Sequence, residues 1–147
     1  MIDLRTQAVL QQVFRRESLS LLRYVGEAFP WTTAAGGPAL DRFRDIEAED
    51  RDATAALGRF LFRRHIAPSY TGTFPSKFTT INFTALGYLL PRIIDGQRLS
   101  LADLERDTAT VTDPDALSEL EKLLAVKREH LAELEGLKVS RHEASKV

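Results

Sequence analysis

Six side chains of this 147-residue sequence combine chemically active types with a spacing that would bring them together: Glu17, Glu47, Asp50, Gln97, Lys127 and His130. Glu17 sits among Leu10, Val13 or Phe14, Leu21, and Tyr24 or Val25, a series with the three-to-four residue period of a helix face. Glu47 and Asp50 fall on or beside the stripe Leu40, Phe43, Ile46, Ala53, Leu57, one turn apart. Gln97 falls between Ile93/Ile94 and Leu101, and Lys127 between Leu124 and Leu131, with His130 one turn further on. A charge on an apolar stripe needs a partner, because an unpaired buried charge costs several kcal/mol or is neutralised. Two chemistries meet that need. Carboxylates and an imidazole can ligate iron, manganese or zinc, or the carboxylates can pair with the Lys127 ammonium in a buried charge network.

The spacing favours one cluster. Glu17 precedes Glu47 by thirty residues, and Gln97 precedes Lys127 by thirty, so two helical hairpins would carry their polar positions at matching heights. Taken singly, each residue also has an ordinary reading. Glu17 can reach solvent from the edge of its stripe, and the acidic run Asp45 to Asp52 also suits a solvated helix face. Lys127 lies in the string Lys-Arg-Glu-His, which suits an exposed surface, and His130 can be packed or solvent-facing.

The elements that would position these residues follow from the same periodicity. A first helix is predicted from Ile2 to Phe29, ended by Pro30, and a second from about Pro38 to Arg64, with Pro38 at a first-turn position. His65 to Thr80, with Pro68, Gly72 and Pro75, is predicted to be a long irregular crossover whose Tyr70, Phe74 and Phe78 pack over the bundle. A third helix is predicted from about Asn82 to Val111, kinked or truly begun at Pro91. Asp113 and Pro114 signal a fourth, running to about Leu137. Short, long and short connections predict an all-α antiparallel four-helix bundle over residues 1–138, with the crossover between helices two and three and a frayed tail over 139–147.

This pattern resembles the ferritin-like superfamily, and bacterioferritin-type bundles in particular. That family supplies Glu, Glu-x-x-His, Glu and Glu-x-x-His from four successive helices to a di-metal centre. The chain reads Glu17, Glu47-x-x-Asp50, Gln97 and Lys127-x-x-His130, and Tyr24 follows Glu17 by two turns as a tyrosine does in bacterioferritin. Asp50 thus stands at a His position, and Gln97 and Lys127 stand at bridging carboxylates. The resemblance implies a degenerate centre in which Lys127, Gln97 and Tyr24 belong to a charge network. Its alternative is an iron- or manganese-handling redox protein using Glu17, Glu47, Asp50 and His130 for one divalent ion (Fe, Mn or Zn). The expected role is non-enzymatic, in protein association beginning with a homodimer, with no catalytic residue and no cofactor.

Composition narrows the field further. Twenty Lys and Arg against 21 Asp and Glu give a net charge of -1, which provides no field for steering nucleic acid. The absence of cysteine removes disulfides and thiolate chemistry, so a cytoplasmic setting is the default. No stretch reaches the ~18 apolar residues of a membrane span, and no leader pattern opens the sequence. Neither a nucleophile elbow nor a nucleotide loop is present, and Gly36-Gly37 reads as a turn. His65, beside Arg63 and Arg64, suits a helix C-terminus, and His142 lies in the weakly patterned tail.

Overall fold

The computed structural model describes residues 1–68 and 72–139, so Tyr70 and His142 lie outside the described residues, as does the predicted tail beyond Val139. Among the described residues the chain forms five α-helices: α1 (Leu4–Ser18), α2 (Leu21–Gly26), α3 (Gly37–Arg63), α4 (Leu86–Ala109) and α5 (Pro114–Gly136). No strand is present among them, and one isolated parallel bridge joins Trp31 to Ala85. Helices α4 and α5 pack against one another, α3 packs on α5, and α1 and α2 each contact both α3 and α4. None of these helices is long and apolar enough to cross a membrane.

The first predicted helix is divided. Ser18 turns its hydroxyl back onto the carbonyl of Phe14 at 2.7 Å, and Ser20 adopts an extended backbone while its side chain accepts from the Arg23 N–H. A serine hydroxyl that competes for backbone groups ends one helix and caps the next. The third predicted helix starts later than expected, at Leu86. Its forerunner is a 3-10 turn over Ser76–Ile81 in the crossover, and Pro91 lies inside α4 rather than at its start. The other two helices match the sequence closely. Asp113 caps α5 by accepting from Ala116 N–H at 2.9 Å. Helix α3 ends with Ile66 N–H donating to Leu61 O, while His65 takes a left-handed φ of 56°. That is the Schellman arrangement, with a buried Ile66 as its apolar contact.

The crossover is pinned by aromatic contact. Phe74 and Phe78 lie 5.2 and 5.4 Å from the Tyr24 ring, so they fasten this segment to α2 as expected. A second corner joins the α2–α3 and crossover–α4 connections. There Phe83 N–H donates to Ala28 O and Leu86 N–H to Trp31 O, both at 2.8 Å.

Apolar burial falls into two clusters. One gathers Leu10, Val13, Leu57, Leu61, Leu104 and Leu120; the other gathers Leu22, Phe43, Ile46, Leu89, Ile93 and Leu134. Val139 packs against the second cluster, so the chain stays packed one residue into the stretch predicted to fray. In sequence, Glu17, Asp50, Gln97 and Lys127 each fall between a residue of one cluster and a residue of the other. The helices therefore carry a buried polar layer between two apolar layers.

Candidate functional site

The polar layer is centred on an ion pair between opposite ends of the sequence. Glu17, in the last turn of α1, and Lys127, in the middle of α5, are 1% and 2% exposed. Lys127 Nζ lies 2.6 Å from Glu17 Oε1 and donates to Gln97 Oε1 of α4 at 3.1 Å. Ser100, one turn after Gln97, donates its hydroxyl to Glu17 Oε2 at 2.6 Å. Both carboxylate oxygens are thereby satisfied, and two donors of the ammonium are engaged. Attraction between the charges is strengthened by the low local dielectric, which also makes either charge costly if left alone.

The neighbours of this pair are less well satisfied. Asp50, on α3, is 1% exposed and its Oδ2 has no hydrogen-bond partner among the described residues. Burial pushes its carboxyl up to about 6, against the pull of Lys127, with Glu17 and Glu47 adding to the rise. His130, on α5, is buried, and its Nδ1 also lacks a partner among the described residues. Its Nε2 faces Glu49 Oε2 at 3.8 Å. Burial holds the imidazole below its ordinary value despite Glu49, which favours the neutral ring.

Glu47 is turned to a different set of cations. Arg51, one turn later on α3, donates to its Oε2 at 2.5 Å, and Arg23 of α2 lies 3.8 Å from its Oε1. This packing depends on Gly26 at the end of α2. A Cβ there would stand 2.5 Å from Glu47 Cδ and 2.6 Å from its Cγ. Gly26→Ala is therefore expected to destabilise the protein by about 1–3 kcal/mol through overpacking, read as a lower urea midpoint with unchanged m-value; an unaltered midpoint would mean that Glu47 moves aside freely.

The structure thus brings together Glu17, Gln97 and Lys127, with Asp50 within electrostatic reach. It holds Glu47 on Arg51 and Arg23, and sets His130 toward Glu49. Tyr24 departs from the expected network: its hydroxyl donates to Asn82 Oδ1 at 2.6 Å, beneath the crossover aromatics. The reason is the break at Ser20, which gives α2 its own start and carries Tyr24 away from the face that holds Glu17. Ser100 is a member of the network that apolar periodicity does not reveal. It continues the stripe Ile93, Gln97, Leu104 at helical spacing, but a small hydroxyl carries little weight in an apolar pattern.

The donor set also tests the metal chemistry implied by the resemblance. An ammonium occupies the immediate surroundings of Glu17, and a cation there repels metal ions. Among the described residues no group of three or more His, Asp or Glu side chains is arranged to hold a metal ion. These residues, as arranged, do not fit a metal pair. They fit an ion pair between Glu17 and Lys127 that Gln97 and Ser100 complete, with Asp50 Oδ2 and His130 Nδ1 beside it lacking partners among the described residues. No protein-family model matches the chain, and neither does any curated protein or solved structure.

Proposed function

We propose that the chain is a non-enzymatic, ferritin-like four-helix bundle in which a buried charge network stands where relatives of that type hold a di-metal centre, and that it acts through protein association, first as a homodimer. In this reading α1 and α2 together form the first helix of the bundle. The contacts support the arrangement, since α1/α2, α3, α5 and α4 follow one another around a ring. Glu17 and Lys127 then reach toward each other across the centre. The observation that carries the proposal is the Lys127 ammonium, buried 2.6 Å from Glu17; the resemblance alone equates its position with that of a metal-bridging carboxylate.

A closed network has a physical use in such a protein. It disfavours helix registers in which either charge loses its partner, and so selects one packing. Sedimentation equilibrium tests the association: the proposal predicts a dimer of about twice the 16.5 kDa chain mass at micromolar concentration. A strictly monomeric protein up to its solubility limit would remove the associative role.

A second reading draws on Asp50 Oδ2 and His130 Nδ1, the two enclosed atoms in this layer without partners among the described residues. It holds that the chain is a metal-dependent redox protein using one Fe, Mn or Zn ion. That reading requires Glu17 and Glu47 to leave Lys127 and Arg51 and turn toward the ion, so it ranks below the first.

A further inference from the structure

Where α1 gives way to α2, the chain leaves a groove of about 350 Å³ between the helix break, the crossover and α4. Its apolar lining is formed by Leu19, Leu21, Phe78 and Leu99. Leu99, one of these four, is 71% exposed. The groove's polar contributions are mostly donors. Gln97 gives its carbonyl oxygen to Lys127, which leaves the amide NH2 for the groove. Lys77, from the crossover, has no acidic partner among the described residues.

Charge in the groove is correspondingly one-sided. Arg16 at its end holds Asp107 through Nη1 at 3.0 Å and stands 3.9 Å from Glu17 Oε2 through Nε, so its charge is compensated and Lys77 is the unpaired charge of the groove among the described residues. The one carboxylate lining the groove, Asp103, is bonded to Arg106 at 2.7 Å. Gly96 also lines the groove. It lies inside α4, where a glycine costs about 1 kcal/mol relative to alanine, yet a Cβ there would meet nothing within 4 Å. Packing does not require the glycine.

We infer that this groove binds a small amphipathic monocarboxylate, with the acid group at Lys77 and Gln97 and the hydrocarbon tail along Leu19, Leu21, Phe78 and Leu99. Size agrees, since a volume of this order lies at the lower end of small-ligand sites. The donors fix the head group, and the apolar walls fix the tail. The site is separate from the Glu17–Lys127 pair, although Gln97 belongs to both, so it stands or falls independently of the role proposed for that pair.

Octanoate is the probe, followed by backbone amide chemical shifts and by isothermal titration. Saturable binding is expected, with the largest shifts at Leu19, Lys77 and Gly96, and with octanol and acetate each binding more weakly than octanoate. Lys77→Glu, a surface change, is expected to weaken octanoate by roughly tenfold. Gly96→Leu is expected to raise the melting temperature through helix propensity while abolishing binding, which separates occlusion from misfolding. Octanol binding as tightly as octanoate, undiminished octanoate binding in Gly96→Leu, or shifts confined to other faces would each overturn the assignment.

Discussion

Replacing Lys127 with Met lowers the unfolding free energy by about 3–5 kcal/mol, because the carboxylate of Glu17 is then left buried with Ser100 as its one hydrogen-bond donor and Arg16 no nearer than 3.9 Å. The loss is measured by urea denaturation monitored by circular dichroism, and it is large against the roughly 5–15 kcal/mol that is usual for a domain. Adding Glu17→Leu to Lys127→Met is expected to recover most of it, since replacing both charges by apolar groups removes the unpaired charge. An unchanged midpoint in the single variant would mean that one of the two side chains reaches solvent, and the closed network would be lost with it.

The second large effect is tied to pH. Asp50 is held at about 6 by burial, against an ordinary value of 3.8. Between those values the folded protein keeps a proton that the unfolded chain has released, so stability from this group falls as pH rises through that window. Above it the buried carboxylate costs up to about 3 kcal/mol, since raising a carboxyl's pKa by one is worth about 1.4 kcal/mol. Asp50→Asn removes this cost. The variant is expected to be more stable than the parent by up to that amount at neutral pH, with the gain vanishing once the pH falls below the ordinary carboxyl value. A gain that does not depend on pH would trace to packing instead. His130 contributes the opposite slope, because burial lowers its value and its neutral ring is favoured only as pH rises.

Much of this is legible in the sequence, and the departures have identifiable causes. The thirty-residue spacing of Gln97 and Lys127 is realised as a direct hydrogen bond at 3.1 Å, because α4 and α5 form a tight hairpin on either side of the Asp113 cap. The equal spacing of Glu17 and Glu47 does not produce a shared site. Arg51 sits one turn after Glu47 and captures it, a pairing visible in the sequence but outweighed there by the apolar stripe. The break at Leu19 and Ser20 is hidden because apolar period continues through it, while two serine hydroxyls decide the backbone locally. Similarly, the 3-10 turn over Ser76–Ile81 shows no periodic signal, and it delays α4 to Leu86.

The charge network also sets limits on change. Gln97 and Ser100 are fixed from inside by Lys127 and Glu17, while the same two residues line the groove beside the helix break. Substitutions there would be felt on both sides. Gly96 and Lys77 touch the groove alone, and they separate the two properties experimentally.

Metal content of the purified protein decides between a buried charge network and a metal centre. The protein is prepared without chelators, analysed for Fe, Mn and Zn, and melted with and without added Fe(II), Mn(II) or Zn(II). Metal well below one ion per chain and an unchanged melting temperature are expected, because Lys127 already balances Glu17. One tightly held ion per chain, with a melting temperature that rises on adding that ion, would contradict the charge network.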